Sequence, residues 1–140
     1  DDYRSSIIDV LGGLVPKEIF RGRDDLLVIL DNESDIEDLQ PDFALLKKIP
    51  LRGIIVSAPS SEFDFVSRCF FPSTGVDEDP VTGSAHTTLT PYWSKRLNKK
   101  KLRAKQVSQR GGLLTCEDAD ERVFIGGKAV LYMIGSIHLT

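Results

Sequence analysis

The segment AHTTLTPYWSKRL, from Ala85 to Leu97, decides the fold. Its apolar residues recur every three or four positions, which places them along one face of a helix. They are Ala85, Leu89, Tyr92, Trp93 and Leu97. We expect this helix to end at Asn98. We also expect Pro91 to kink it or to start a new segment, because proline removes one backbone hydrogen bond.

Short apolar runs on both sides of this helix predict β-strands. Upstream, one helix is predicted at residues 43–49 and strands at residues 26–30, 53–58 and 63–71. The first twenty residues are ambiguous, since residues 7–11 fit a helix and residues 14–20 an extended segment. Downstream, the pattern predicts only strands, the first at residues 102–109. Residues 112–117 and 121–125 are expected to form a hairpin over residues 118–120, and residues 129–133 and 136–139 a last strand broken at Gly135. The expected fold is therefore α+β, with a curved, barrel-like and mostly antiparallel sheet wrapped around the central helix.

Composition and charge are those of an ordinary globular chain of one domain. The 140 residues are 41% hydrophobic and 28% charged, which suffices for one core without a metal or a disulfide. The net charge of −3 argues against a general nucleic-acid binder. The basic run at residues 95–105 contains no aromatic residue on which a base could stack, so we expect a solvated turn there.

The cysteines and histidines predict neither a disulfide framework nor a metal site. Cys69 and Cys116 lack the spacing of either, and His86 and His138 are not paired along the chain. Free thiols fit a reducing compartment. Because the chain also has no apolar run close to the ~20 residues of a membrane helix, we expect a soluble cytoplasmic protein.

The segment GVDEDPVTGSAH, residues 75–86, is the densest in residues suited to chemistry. The first turn of the following helix offers unpaired N–H groups and the positive end of the helix dipole, which suit an anion such as a carboxylate. Gly83 lets a ligand approach the backbone, Ser84 adds a hydroxyl donor, and Asp79 could act as an acid or base. The alternative is an ordinary helix start, which Thr82 or Ser84 caps and where no ligand binds.

This segment, together with Arg68-Cys69-Phe70-Phe71-Pro72, resembles the signature of the phenazine-biosynthesis F protein family, R-x-F-x-P followed by G-V-x-E-D-P-x-T-G-S-A-H. The resemblance extends from Leu11 to the C-terminus, with matches at Tyr92-Trp93, Gln109-Arg110-Gly111-Gly112 and Ile125-Gly126-Gly127. It implies a diaminopimelate-epimerase-like fold, in which two similar halves each wrap a sheet around a central helix and the active site lies in the cleft between them. Residues 1–140 would then be a single domain, equivalent to the C-terminal half of a two-domain isomerase.

The resemblance also implies an isomerase that moves a proton on a small carboxylate without metal or organic cofactor. The catalytic residues of this chain would be Asp79 and Ser84, facing a glutamate base in the N-terminal half. The substrate-binding residues would be Gly75, Thr82, Gly83, Ala85 and His86. The N–H groups of the helix start would hold the substrate carboxylate, whereas His86 could instead pack the helix start. Related epimerases and racemases have a cysteine at the position of Thr82, so a two-thiol mechanism is not expected.

The partners that follow are a small carboxylate substrate and the N-terminal half of the same enzyme, with no nucleic acid and no membrane. No glutamate of this chain falls in a base motif, so we expect the chain alone to be incomplete. A homodimer stays open, because an uncovered apolar cleft face would favour pairing. The rival interpretation is a stand-alone, non-catalytic domain that binds a small anion or a protein partner, and the missing base favours it.

Overall fold

The computed structural model describes residues 3–139. The helices are α1 (Arg4–Val10), α2 (Glu33–Glu37), α3 (Phe43–Leu46) and α4 (Gly83–Leu97), and a short 3-10 turn spans Pro72–Thr74. The strands are β1 (Glu18–Arg21), β2 (Asp25–Ile29), β3 (Gly53–Pro59), β4 (Phe65–Phe71), β5 (Val76–Asp79), β6 (Lys101–Gln106), β7 (Gly112–Ala119) and β8 (Arg122–Gly126). In this described range, no helix is long and apolar enough to cross a membrane.

All eight strands belong to one sheet, with the order β1-β2-β3-β4-β6-β7-β8 and with β5 paired to β4. The β2–β3 and β4–β6 pairs are parallel, and the other pairs are antiparallel. The expected α+β class with a mostly antiparallel sheet is therefore confirmed. Between residues 3 and 139 the sheet is open, with β1 and β8 as its two edges, so it does not close into a barrel.

Helices cover both faces of the sheet, because the central strands bury both sets of alternate side chains. Leu26 and Val28 of β2 pack in the cluster that contains residues of α1, α2 and α3. Leu27 and Ile29 of the same strand pack in the opposite cluster, which contains the apolar stripe of α4. The N-terminus of α4 follows directly on the end of β5, and the candidate site lies there.

Helix α4 confirms the predicted amphipathic helix, but it runs through Pro91 as one continuous element, so the expected new segment is wrong. Pro91 is exposed, and water can therefore reach the carbonyl that lacks its helical partner. Trp93 is buried, stacks on Phe65 at 5.7 Å between ring centroids and donates to Ser57 Oγ at 2.9 Å. Its role in the core, rather than in a ligand site, fixes α4 against the sheet.

Residues 129–133 and 136–139 do not form the predicted last strand. From residue 128 to residue 139 the chain has no helix or strand, and large apolar side chains are exposed, with Val130 at 90% and Tyr132 at 97%. A strand needs a neighbour for its backbone groups. In the described part of the chain this segment is paired with no strand of the sheet.

Candidate active site at the N-terminus of helix α4

Strand β4 brings the site residues together, because different parts of it pair with β5 and with β6. Cys69 of β4 lies opposite Asp79, at the end of β5. Ser67 of β4 lies opposite Gln106, at the end of β6. Since these two β4 residues are only two positions apart, Asp79 and Gln106 become neighbours. The loop that leads from β5 into α4 therefore starts beside the end of β6.

The side chain of Gln106 is fully buried and holds this loop in place by hydrogen bonds. Its Nε2 donates to the backbone oxygen of Asp79 at 2.6 Å and to Oγ1 of Thr82 at 3.2 Å. Its Oε1 accepts the N–H of Thr82 at 2.8 Å. Thr82 donates its own hydroxyl proton to Oδ2 of Asp79 at 2.7 Å. The carboxylate of Asp79, which is half-buried, is thus oriented at the start of α4.

An ion pair fixes β5 from the other side. The guanidinium of Arg68 donates to both carboxylate oxygens of Glu78, at 2.8 and 3.0 Å. The same guanidinium also lies 5.0 Å from the ring centre of Phe70. Its Nη1 donates to the backbone oxygens of Ile36, Glu37 and Leu39. Glu78 is therefore fully engaged in structure, while the adjacent Asp79 points its side chain to Thr82.

The N-terminus of α4 has no side-chain cap. Thr82 occupies the N-cap position, but its hydroxyl bonds Asp79 instead of a backbone N–H, and the first turn contains no acidic residue. The cap by Thr82 that an ordinary helix start would have is therefore absent. The N–H groups at Gly83, Ser84 and Ala85 consequently have no side-chain acceptor, which is the arrangement of an anion site. Gly83 and Ser84 are exposed, so a ligand can reach them.

The structure brings Asp79, Thr82, Gly83, Ser84 and Ala85 together at the head of the helix, but it places Gly75 elsewhere. Gly75 precedes β5 and Asp79 ends it, so the two are separated by roughly 13 Å of extended strand. Gly75 also has a φ of 86°, which ends the 3-10 turn and accounts for glycine there without a ligand. Its expected part in substrate binding finds no support in this geometry.

His86 packs the helix start. Its side chain is fully buried, lies 6.0 Å from the ring of Phe65 and donates from Nδ1 to the backbone oxygen of Thr82 at 2.7 Å. Burial lowers the pKa of His86, so the ring is neutral at physiological pH. Its Nε2 has no hydrogen-bond partner. Of the two sequence-based alternatives, the geometry favours packing over a substrate contact.

Both thiols are buried, and burial changes their pKa. Burial raises the pKa of Cys69 to about 12, so this thiol beside Asp79 stays protonated. Burial also raises the pKa of Cys116. Both cysteines are free and buried. Among residues 3–139, no group of three or more His, Cys, Asp or Glu could hold a metal ion.

In the motif Arg110-Gly111-Gly112, the last glycine packs closely against the same loop. A Cβ on Gly112 would lie 2.2 Å from Cγ2 of Val81, so a side chain at this position would displace the loop. An open groove of about 960 Å³ is lined by Val81, Arg110, Gly112 and residues of the strands β6 to β8. Asp79 and Ser84 do not line this groove.

Gln106 is the site residue that sequence reasoning missed. Its signal is its position in β6, because Leu102, Ala104 and Gln106 share the buried face of that strand. A buried amide must find hydrogen-bond partners, and the loop at the head of α4 supplies them.

Comparison with known proteins shows the family. The family model described as phenazine biosynthesis-like protein matches residues 3–135. An uncharacterized isomerase of Pseudomonas aeruginosa is 54% identical over 127 residues, which are 91% of this chain and 49% of that protein. An uncharacterized isomerase of Halalkalibacterium halodurans is 49% identical over 130 residues, with 91% of this chain and 49% of that protein covered.

A solved structure agrees with the fold. A phenazine biosynthesis protein of the PhzF family from Enterococcus faecalis has a TM-score of 0.87 and 47% identity, over 96% of this chain and 51% of that chain. The chain thus spans about half the length of the relatives that it matches. On this evidence, the chain belongs to the PhzF family of phenazine biosynthesis-like proteins.

Proposed function

We propose that this chain is the C-terminal half of an isomerase that moves a proton on a small carboxylate substrate, with Asp79 and Ser84 as its catalytic residues. The observation that carries the proposal is the pairing of an oriented Asp79 carboxylate with the uncapped N-terminus of α4. Membership of the PhzF family and the relatives named as isomerases support it.

The N–H groups at Gly83, Ser84 and Ala85 would bind the substrate carboxylate and stabilise the negative charge that develops when the adjacent carbon loses its proton. The positive end of the helix dipole adds to this stabilisation. A base removes the proton, the electron pair delocalises toward the bound carboxylate, and an acid returns a proton at the same carbon or at a conjugated one. Asp79 and the Ser84 hydroxyl would relay that proton.

The base itself would be a glutamate of a second half. Glu78, next to Asp79 in sequence, is engaged by Arg68 and cannot serve. In the proposal, the second half closes over the head of α4 to complete a two-half fold of the diaminopimelate-epimerase type. The length of the relatives supports a second half, since this chain covers 49% of the two bacterial isomerases. The described sheet of this chain is open on its own, and in the same proposal its barrel-like closure would need the second half.

The exposed segment at residues 128–139 supports the same arrangement. It follows the edge strand β8 and carries apolar side chains that pack on nothing in the described chain, including Val130 and Tyr132. An apolar segment of this kind marks a surface that another body covers. We propose that the N-terminal half covers it, and a second copy of this chain is the other arrangement that would do so. The free, buried cysteines support a cytoplasmic location for the assembled enzyme.

A non-catalytic, anion-binding domain is the second candidate. The observation that favours it is the absence of an unengaged glutamate from the loop at residues 75–86, where Glu78 is tied to Arg68. Both candidates use the N-terminus of α4 to bind an anion. They differ in whether a bound carboxylate exchanges a carbon-bound proton.

The test is proton exchange with solvent. The full-length polypeptide is incubated in D₂O with a panel of small carboxylic acids that have an acidic C–H, and deuterium incorporation is followed by mass spectrometry. We expect incorporation with at least one acid, and a loss of about a hundredfold or more in the Asp79→Asn variant. Asp77→Asn is the matched control, because Asp77 is exposed on the same strand. Equal rates for wild type and Asp79→Asn would refute the role of Asp79, and binding without exchange would favour the second candidate.

A further inference from the structure

We propose that Gln106 is a positioning residue that orients the carboxylate of Asp79 through the hydroxyl of Thr82. The catalytic meaning of this inference rests on the proposed function, but the positioning itself can be measured without any substrate. Gln106 is fully buried at the end of β6, and it contacts both ends of the loop between Asp79 and Thr82.

The orientation of the Gln106 amide is fixed by its backbone partners. The N–H of Thr82 can only donate, so the atom that faces it at 2.8 Å must be Oε1. The carbonyl of Asp79 can only accept, so the atom that faces it at 2.6 Å must be Nε2. No flipped amide satisfies both contacts.

This orientation sets the direction of the Thr82 hydroxyl. The second N–H of Gln106 Nε2 points to Oγ1 of Thr82 at 3.2 Å and occupies an acceptor site of that oxygen. The hydroxyl proton of Thr82 is therefore directed to Oδ2 of Asp79, at 2.7 Å, while the protonated Cys69 thiol is a further hydrogen-bond neighbour of Thr82. The result is a one-way chain of donors from Gln106 to Thr82 to Asp79, in which each bond strengthens the next.

Burial makes the amide difficult to replace. Thr82 is 5% exposed and Gln106 is 0% exposed, so bulk water does not reach the pair. If the two N–H donors are lost, the Thr82 hydroxyl is no longer directed and the Asp79 side chain can leave its rotamer. Ser108 provides the matched comparison, because its hydroxyl holds the same loop at the backbone oxygen of Pro80 without touching Asp79 or Thr82.

The experiment measures the Asp79 side-chain rotamer by NMR, in the full-length polypeptide. Three-bond couplings from Cγ of Asp79 to its backbone nitrogen and carbonyl carbon distinguish a single staggered χ1 from an average. We expect a single rotamer in wild type and in the Ser108→Ala variant. We expect averaged couplings in Gln106→Met and in Thr82→Val, and no additional averaging when these two are combined, because both act through the same chain of donors.

The Gln106→Glu variant separates the effect of losing the N–H donors from the effect of losing the oxygen acceptor. Glutamate keeps an oxygen for the N–H of Thr82 but loses the two N–H donors, so Asp79 should average while the Thr82 amide stays protected from hydrogen exchange. In Gln106→Met the Thr82 amide should exchange about tenfold faster, because its acceptor is also lost. Gln106→Glu also decides the case if Gln106→Met does not fold.

A single Asp79 rotamer in both Gln106 variants would overturn the inference, and so would equal averaging in Ser108→Ala, which would mean that any loosening of the loop suffices. These results do not depend on turnover. If Asp79→Asn retained full proton exchange, the proposed function would fail while the couplings still decided the positioning role.

Discussion

Removing Glu78 should destabilise the fold strongly, because it leaves the buried guanidinium of Arg68 without its counter-charge. The side chain of Arg68 is 10% exposed and that of Glu78 is 21% exposed. Breaking a buried ion pair from one side costs about 3–5 kcal/mol. Arg68 keeps its backbone acceptors on α2 and beyond, so we expect Glu78→Ala to lower the free energy of unfolding by about 2–3 kcal/mol.

This cost can be read as a shift in melting temperature. A chain of 140 residues unfolds with an entropy of roughly 0.3 kcal/mol per kelvin, so Tm should fall by about 7–10 °C. The assay is thermal unfolding followed by circular dichroism. Asp77→Ala on the same strand is the control, and its exposed side chain predicts a change within about 0.5 kcal/mol. A Glu78→Ala variant as stable as this control would refute the reasoning that the pair anchors β5.

The other predictions concern close packing, pH and accessibility. Gly112→Ala should lower the free energy of unfolding by about 1–3 kcal/mol, because the new Cβ meets the side chain of Val81. Adding Val81→Ala should recover part of that loss, and urea unfolding that shows no recovery would contradict the packing argument. Burial lowers the pKa of His86 below its usual 6.5, so below that pH the unfolded chain binds a proton that the folded chain does not, and stability is lost as the pH falls. The slope of Tm between about pH 7.5 and 5.5 should therefore be shallower in His86→Gln than in wild type, and equal slopes would contradict this prediction. The Cys69 thiol, with its pKa raised to about 12, should resist alkylation in the folded state and react only on unfolding; labelling at the rate of a free thiol would show that it is accessible. In this chain without the second half, limited proteolysis should first cut within residues 128–139, whereas a first cut inside the sheet would contradict the described fold.

Strong local patterns made much of the fold predictable. The stripe from Ala85 to Leu97 predicted α4, and the apolar runs at residues 26–30 and 53–58 predicted β2 and β3 with small errors at their ends. The hairpin of β7 and β8 was likewise predicted, with its turn at residues 120–121 rather than 118–120. In each case the apolar residues of the sequence recur with the spacing of the helix or strand that they form, so the element can be predicted from the sequence.

The errors arose where the secondary structure of a segment depends on its pairing with residues distant in the sequence. β5 is mostly acidic, and aspartate is disfavoured in strands, yet β4 supplies a neighbour and Arg68 a counter-charge. The segment at residues 128–139 has a strand-like composition but pairs with no strand between residues 3 and 139. Gln106 was missed because a buried amide is recognisable only when its partners in a distant loop are known.

The central claim is that the N-terminus of α4 binds a carboxylate beside Asp79. The most direct measurement is an NMR titration of the ¹⁵N-labelled protein with a small carboxylate, such as acetate or a larger conjugated acid, and with the corresponding neutral amide as control. We predict saturable shifts of the backbone amides of Gly83, Ser84 and Ala85 with the carboxylate and none with the neutral amide. Shifts confined to the basic run at residues 95–105, or equal shifts with both compounds, would contradict the claim.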